Sequence, residues 1–261
     1  MITVYYGEAL AAYGFGDDHP FGPDRLDAFW NTACLSGLNS KVQIASPVSA
    51  SKQELELFHT HSYIEKLIRL SAEGSGILDC GDTPAFPGIY ESACVVAGCV
   101  LDGARRIIAG KTNRAFIPIA GLHHARRNTA AGFCAVNDIG ILIEELRSNH
   151  NIRRIAYVDI DAHHGDGVFY EYEDDPEVFI ADIHEDGHYL YPGTGFSSET
   201  GTGKAKGTKL NLPLAPPHIH DTDFFPAWDE VEKFLACAKP EFIILQAGAD
   251  SIFGDPITHM G

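Results

Sequence analysis

The chain contains 261 residues, 45% of them hydrophobic, which suits a single globular domain with a sizeable core. Its 36 acidic residues outnumber its 19 basic residues and give a formal net charge of -17, so the sequence excludes the basic surface of a nucleic-acid-binding protein and favours neutral or cationic partners. The six cysteines form no Cys-x-x-Cys pair, the N-terminus lacks a signal pattern, and no apolar run is long enough to span a bilayer, so we expect a soluble cytoplasmic protein without a membrane partner.

Short apolar runs alternate with longer helical patterns along the chain. The runs rich in β-branched residues predict strands over 2–6, 42–44, 115–119, 154–160, 178–181, 209–212 and 242–246. Helical patterns between them predict helices over 88–109, over 138–149 with Asn137 as N-cap, and over 221–238 with Pro240 after its end. This alternation predicts an α/β fold: one domain over residues 1–261 with an open, mostly parallel sheet flanked by helices in three layers.

Polar residues crowd the end of the strand predicted over 154–160, in the sequence YVDIDAHHGDG. Asp159, Asp161 and His163 are spaced by two, so in an extended backbone their side chains project to one side. Asp161 and His163 can hold one ion, and Asp250, at the end of FIILQAGAD, is a candidate third ligand. Two carboxylates and one histidine would leave a position on zinc open for water and substrate. The alternative is that both aspartates only cap the helices after them.

A second polar cluster, GLHHA, follows the strand predicted over 115–119. Hydrolysis of an amide needs a base for the water proton and an acid for the leaving nitrogen, and imidazole serves both roles at neutral pH. His123 and His124 are therefore the candidate proton-transfer groups. Asp159 and Asp166 are candidate carboxylates to orient the two imidazoles. This segment alone leaves open the alternative that it is a surface histidine pair.

Five strings, GLHHA, GFCAVND, VDIDAHHGDG, YPGTG and GADSIFGDP, resemble in order and approximate spacing the motif series of class I-like histone deacetylases and acetylpolyamine amidohydrolases. The resemblance covers nearly the whole chain and implies the arginase/deacetylase-like fold. It implies that zinc binds to Asp161, His163 and Asp250. It also implies that His124 is the principal general base and acid, and that His123 acts mainly through its charge.

The resemblance further implies a narrow tunnel for an acyl-lysine chain. The tunnel walls would be Gly132, Phe133 and Tyr191, since an aromatic slot accepts an alkyl chain. Asp82 matches the rim carboxylate that holds the substrate backbone, and Arg25 matches the arginine of the inner channel through which acetate leaves. Ordinary core packing is the alternative for the two aromatic residues.

Members of the resembled family also bind monovalent cations, K⁺ or Na⁺, near the zinc. The resemblance implies a nearer site made of Asp159, Asp161, His163, Asp182 and Ile183. It implies a second site made of Tyr172, Asp175, Val178 and Thr208. Asp182 stands where the family commonly has a hydroxyl residue, so the first site departs from the family pattern.

The resembled family carries a catalytic tyrosine in a glycine-rich turn beyond the segment that matches Gly254–Pro256. The chain stops at Gly261, so we expect it to lack the usual C-terminal portion of the catalytic domain. The tyrosine hydroxyl steadies the oxyanion in the family. Its absence motivates the alternative of a catalytically impaired module that binds metal and acyl-lysine without turnover.

The leading hypothesis is therefore a zinc-dependent amidohydrolase that removes acetyl groups from lysine side chains of peptides or proteins, or from acetylated polyamines. Ferrous iron is an alternative metal, because a histidine and two carboxylates suit either ion. A binuclear manganese ureohydrolase ranks low, because it would need more bridging carboxylates beside His163 than the sequence places there. The sequence leaves the oligomeric state undetermined.

Overall fold

The computed structural model describes residues 1–16, 19–79, 81, 83–216 and 219–260. The chain divides into two compact units, Met1–Glu145 and Leu146–Gly261. The boundary falls within a single helix, Asp138–His150. Each unit has its own sheet, and every strand pairing in both sheets is parallel.

The first unit contains a three-stranded sheet and most of the helices. Its strands are β1 (Ile2–Tyr5), β2 (Gln43–Ala45) and β3 (Arg114–Phe116), in the order β2-β1-β3. Its helices are α1 (Glu8–Ala11), α2 (Arg25–Leu35), α3 (Lys52–Leu55), α4 (His61–Glu73), α5 (Ile89–Ile108) and the start of α6 (Asp138–His150), with a 3₁₀ turn at Leu38–Lys41.

Helix α6 begins where the sequence predicts it, because its cap is encoded locally. The side-chain oxygen of Asn137 accepts a hydrogen bond from the backbone N–H of Gly140 (2.8 Å), which satisfies one of the free N–H groups of the first turn. The Asn137 cap is thereby confirmed. Since Asn137 also donates to the carbonyl of Ala125 (2.8 Å), the same side chain fixes the loop before the helix.

The second unit contains a four-stranded sheet in the order β6-β5-β4-β7. Its strands are β4 (Ile155–Asp159), β5 (Val178–Glu185), β6 (Lys209–Leu214) and β7 (Phe242–Gln246). Its helices are α7 (Asp166–Phe169) and α8 (Asp221–Ala238), with a 3₁₀ turn at Gly203–Ala205. Asp159 at the end of β4 pairs with Asp182 of β5 on one side and with Gln246 of β7 on the other. Three neighbouring strands therefore carry polar residues side by side in the sheet.

A hydrophobic core joins α8 to this sheet. Val158, Ala181 and Ile183 of the sheet pack with Ala227 and Val231 of the helix. Val231 is fully buried, and burial of a side chain of this size contributes about 1.5–3 kcal/mol. The packed sheet gives the loop after β4 a rigid base.

These observations confirm the predicted α/β fold with parallel strands and flanking helices, while the assignment of all 261 residues to one domain stays a prediction. Two strand ends differ from the prediction by more than two residues, and the other strand bounds differ by two residues at most. Strand β3 ends at Phe116, because Pro118 has no N–H to donate to a ladder. Strand β5 runs four residues further than predicted, to Glu185, because its polar residues are buried and its pairing with β6 continues to Glu185↔Leu214.

Among the described residues, no helix is both long and apolar enough to cross a membrane.

Candidate metal centre and histidine pair

Three ligand atoms, one each from Asp161, His163 and Asp250, lie within 4.8 Å of one another in the second unit. The Nδ1 atom of His163 is 3.1 Å from Oδ1 of Asp161 and 2.8 Å from Oδ2 of Asp250. All three side chains are partly buried. The structure thus brings together the three residues that the sequence singles out as metal ligands.

The backbone holds both carboxylates in place. The N–H of His163 donates to Asp161 Oδ1 and the N–H of Ala162 donates to Asp250 Oδ1, each at 2.9 Å. In the neighbouring strand, Gln246 Nε2 donates to the other oxygen of Asp161 (2.9 Å). A Cβ atom on Gly248 would lie 2.0 Å from that oxygen, so only glycine allows this close approach. Sequence reasoning missed Gln246 and Gly248, although both belong to the run that ends at Asp250.

The two carboxylates of the trio favour a positive charge beside them, as the pKa of His163 shows. Burial by itself would lower the pKa of His163, but the hydrogen bonds and negative charges of Asp161 and Asp250 raise it to about 9. Burial and the nearby charge of Asp161 raise the pKa of Asp250, which the hydrogen bond from His163 partly offsets. A divalent ion would replace the proton shared by these groups, and one nitrogen with two carboxylates suits zinc or ferrous iron.

Asp159 and Asp166 also lie in this unit, and both are buried. Asp159 accepts a hydrogen bond from the hydroxyl of Tyr157, and its other oxygen accepts from the N–H of Asp161 (3.0 Å). Asp166 is the first residue of α7. Asp159 therefore helps to set the position of Asp161, a candidate metal ligand.

The histidine pair lies in the first unit. The Nε2 atoms of His123 and His124 are 3.0 Å apart, and only 3% and 5% of these residues is exposed. At this distance a hydrogen bond joins the two rings when one Nε2 atom carries a hydrogen and the other does not. Burial to this degree is inconsistent with the alternative of a surface histidine pair.

The loop 131–135 packs directly against His124. A Cβ atom on Gly132, which has a φ of 52°, would lie 2.4 Å from the Cδ2 atom of His124. Phe133 follows with a φ of 64°, an unusual backbone conformation for an aromatic residue. The hydroxyl of Tyr13 donates to the carbonyl of Phe133 (2.7 Å) and accepts from the N–H of Ala135 (2.8 Å). The surrounding structure therefore determines the conformation of this loop.

Four further residues support the histidine pair and its loop, and sequence reasoning assigned none of them to this role. Asp138 accepts from the N–H groups of Gly121 (3.1 Å) and Leu122 (2.7 Å), just before the pair. The other three residues bind the backbone of the loop or of Asn137. The Thr83 hydroxyl accepts a hydrogen bond from the N–H of Phe133, and the Tyr63 hydroxyl donates one to the carbonyl of Ala135. The Nε2 atom of His59 accepts a hydrogen bond from the N–H of Asn137. Burial lowers the pKa of His59 to about 4, so this histidine is neutral and structural. Single tyrosines, histidines and threonines distant in sequence give no local signal of these contacts.

The residues predicted to bind substrate fall in different places. Gly132 and Phe133 lie in the loop of the first unit, and Tyr191 lies in the second unit with its ring centroid 6.4 Å from that of His163. The Arg25 guanidinium lies 4.1 Å from the ring centroid of Phe21, and burial lowers its pKa. Asp82, the predicted rim carboxylate, lies outside the described residues.

Two sets of residues were predicted to bind monovalent cations, and both lie in the second unit. In the first set, the Asp182 carboxylate accepts from the N–H of Gly165 (2.9 Å) and from Nδ1 of His184 (2.6 Å). In the second set, oxygen atoms of Asp175, Val178 and Thr208 accept hydrogen bonds from the side chain of Lys209.

Residues 19–261 match the family model described as "Histone deacetylase domain". The chain belongs to the histone deacetylase family. Members of this family depend on a metal, typically zinc, and the trio of ligand atoms in the second unit is consistent with that dependence. The resemblance found in the sequence motifs is thereby confirmed.

Curated relatives cover almost all of this histone deacetylase-family chain. Acetoin utilization protein AcuC of Bacillus subtilis is 36% identical over 98% of the chain and 67% of its own length. Histone deacetylase clr6 of Schizosaccharomyces pombe is 32% identical over 97% of the chain and 64% of its own length, and RPD3 of Saccharomyces cerevisiae is 34% identical over 97% and 60%. The chain thus spans about two thirds of the length of these relatives.

Two solved structures superpose closely on this chain and have the same fold. The HDA15 HD domain superposes with a TM-score of 0.89 at 27% identity, covering 98% of this chain and 75% of that one. An HDAC homolog from Aquifex aeolicus superposes with a TM-score of 0.88 at 28% identity, covering 100% of this chain and 72% of that one.

Proposed function

We propose that this chain is the catalytic part of a zinc-dependent deacetylase that hydrolyses the acetamide of acetyl-lysine or of a small acetylated amine such as a polyamine. The observation that carries the proposal is the cluster of Asp161, His163 and Asp250, whose ligand atoms lie within 4.8 Å of one another at the end of a parallel sheet. Membership of the histone deacetylase family supports the same reaction class.

Asp161, His163 and Asp250 would hold the zinc ion, which when bound supplies a Lewis acid for the acetyl carbonyl and for water. One histidine and two carboxylates leave coordination positions for substrate and water, as in other catalytic zinc sites. Ferrous iron fits the same donor set. Gln246 and the backbone N–H groups of Ala162 and His163 fix the carboxylates, so they need little rearrangement when the ion binds.

In this proposal, His124 accepts the proton of the attacking water and delivers it to the leaving nitrogen. His123 would contribute mainly a charge, and the 3.0 Å contact between the two Nε2 atoms would link the proton affinities of the pair. Asp159 and Asp166 would orient the imidazoles and stabilise their charged forms. The products are acetate and a free amine.

Substrate recognition would depend on aromatic residues, for which Phe133 and Tyr191 are the candidates, since aromatic rings suit the alkyl chain of lysine or of a polyamine. Glycine at position 132 would leave the His124 imidazole in place, because a side chain there would collide with it. Asp82 would hold the substrate backbone at the rim, and Arg25 would line the exit path of acetate. A bound K⁺ or Na⁺ near Asp159, Asp161, His163, Asp182 and Ile183 would complete the centre.

A direct assay tests the proposal: acetate release from an acetyl-lysine peptide and from an acetylated polyamine, before and after removal of metal with a chelator, and after zinc or ferrous iron is restored. We expect release that stops on chelation and returns with metal. Asp250→Asn should abolish release, while the control Asp229→Asn on α8 should retain it. A chain that binds metal and substrate but releases no acetate would instead be a binding module, and a chain without stoichiometric metal would contradict the proposal outright.

A further inference from the structure

Lys209 is a buried lysine outside the metal centre. It is the first residue of β6, and only 2% of it is exposed. Its Nζ atom donates hydrogen bonds to the backbone oxygen of Val178 (2.7 Å), the backbone oxygen of Asp175 (3.0 Å) and the hydroxyl oxygen of Thr208 (2.8 Å). Lysine is almost never fully buried unless its charge is satisfied, so this arrangement needs an explanation.

The hydrogen-bond pattern shows that the side chain is an ammonium. The hydroxyl of Thr208 uses its only hydrogen to donate to the carbonyl of Ala205 (2.7 Å), so its oxygen can only accept from Lys209. The other two partners are carbonyl oxygens, which also only accept. Three acceptors require three N–H donors, and only the protonated amine has three.

The three oxygens that bind the ammonium are neutral, because the carboxylate of Asp175 is engaged with other partners. Asp175 uses one carboxylate oxygen to accept from Arg147 Nη1 (2.6 Å) and the other to accept from the N–H of Glu177 (2.9 Å). Its backbone oxygen remains for Lys209. A buried monovalent charge held by backbone carbonyls and a hydroxyl is the environment that protein sites offer to K⁺.

We propose that the ammonium of Lys209 is a built-in monovalent cation, which fills a cage of oxygens that a dissolved K⁺ or Na⁺ would otherwise occupy. The cage comprises oxygen atoms of Asp175, Val178 and Thr208, three members of the second set predicted to bind a monovalent cation. A side chain thus takes the place of a dissolved ion, whether or not the chain has the proposed deacetylase activity.

The cage joins three parts of the second unit. Val178 begins β5, Lys209 begins β6, and Asp175 lies in the segment that connects α7 to β5. Helix α7 itself follows the loop of Asp161 and His163 directly. A covalently attached cation therefore holds the segment between α7 and β5 in place at every salt concentration. A dissolved ion would leave when its concentration fell below its dissociation constant.

The test compares thermal unfolding of four versions of the chain in KCl, NH₄Cl and choline chloride at equal ionic strength. Lys209→Ala opens the cage and removes its charge, Lys209→Met removes the charge but fills the space, and Lys206→Ala changes an exposed lysine nearby. Relative to choline, we expect K⁺ or NH₄⁺ to raise the midpoint of Lys209→Ala by roughly 2–4 °C more than that of the parent when the ion exceeds its dissociation constant several-fold. The responses of Lys209→Met and Lys206→Ala should equal that of the parent.

An equal response of Lys209→Ala and the parent would overturn the proposal, because the opened cage would then have no affinity for a cation. If Lys209→Ala does not fold, crystals of the parent chain soaked in a thallium salt give an independent answer. We expect no anomalous thallium peak among the oxygens of Asp175, Val178 and Thr208, since the ammonium occupies that position. A thallium peak bound by these three oxygens would show that Lys209 yields the cage to a dissolved ion.

Discussion

The Nδ1 atom of His163 lies 2.8 Å from Oδ2 of Asp250, although 87 positions separate the two residues in the chain. The parallel pairing of β4 with β7, in which Asp159 lies opposite Gln246, brings the loops after both strands together. The carboxyl ends of parallel strands meet at one edge of a sheet, and this edge is where the α/β folds place their sites. The strand order therefore brings the three residues of the candidate metal centre together.

The first prediction concerns Gln246, which orients the candidate metal ligand Asp161 without belonging to the trio. Gln246→Leu removes the hydrogen bond to Asp161 Oδ2, and we expect zinc affinity to fall about tenfold to a hundredfold. Competition with a chromophoric zinc chelator measures this change. The exposed residue Gln53 provides the control variant Gln53→Leu. Equal affinities of both variants and the parent would show that Gln246 does not support the site.

The histidine pair gives a prediction that separates proton transfer from metal binding. His124→Ala should lower turnover by about a hundredfold to ten-thousandfold, because it removes the proposed proton-transfer group, while its metal content stays at the parental level. His61→Ala, at a mostly exposed imidazole, is the matched control. Acetate release and metal analysis on the same preparations provide both measurements. Near-parental turnover of His124→Ala would remove this residue from its proposed role.

Tyr13 should contribute measurably to stability, because its hydroxyl bonds two backbone groups of the loop beside His124. Tyr13→Phe leaves the carbonyl of Phe133 and the N–H of Ala135 without this partner in a buried place, at a cost of about 1–3 kcal/mol in the free energy of unfolding. Urea unfolding measures the difference. Tyr189→Phe alters a tyrosine that is 60% exposed and should change little. A destabilisation no larger than that of the control would mean that the loop holds its shape without Tyr13.

The buried pair of His184 and Asp182 predicts a pH dependence. His184 donates from Nδ1 to Asp182 (2.6 Å) and from Nε2 to the carbonyl of Gly195 (2.9 Å), so it is an imidazolium. Burial alone would lower the pKa of His184, but the Asp182 carboxylate and the Gly195 carbonyl raise it; burial alone would raise the pKa of Asp182, but His184 lowers it.

The sign of the effect follows from these two shifts. The contribution of His184 is complete below its unfolded pKa of about 6.5 and disappears as pH rises through its raised folded pKa. The contribution of Asp182 disappears as pH falls through its lowered folded pKa. The difference in unfolding free energy between the parent and His184→Gln should therefore be largest at mildly acidic pH and shrink towards alkaline pH. A difference that grows with pH would show that His184 is neutral in the folded chain.

The sequence was sufficient to predict which three residues come together in the candidate metal centre, because they sit at strand ends in short polar strings. Asp161 and His163 share one string, and Asp250 ends an apolar run, so periodicity and residue chemistry locate them without knowledge of the fold. The α/β fold was predictable from the same alternation of apolar runs and helical patterns. The end of β5 was missed, because buried Asp182, His184 and Glu185 look like loop residues until their partners are known.

Long-range contacts outside the candidate metal centre could not be predicted. The hydroxyl of Tyr13 donates a hydrogen bond to the carbonyl of Phe133, which lies 120 positions away in the chain, and no local sequence pattern around Tyr13 predicts this bond. Lys209 illustrates a second reason: the sequence pattern places it at the start of a strand, where a lysine is ordinarily solvated. Only the structure shows that its amine is surrounded by three oxygens.

The most direct test of the metal centre is the metal content of the purified chain and of two ligand variants, measured by elemental analysis after exchange into metal-free buffer. The account predicts about one equivalent of zinc or iron per parent chain, and a large loss of metal in both Asp161→Ala and Asp250→Ala. Asp229→Ala, on the exposed face of α8, should retain the parental content. If Asp161→Ala or Asp250→Ala carries as much metal as the parent, the metal is bound elsewhere and the proposed centre is wrong.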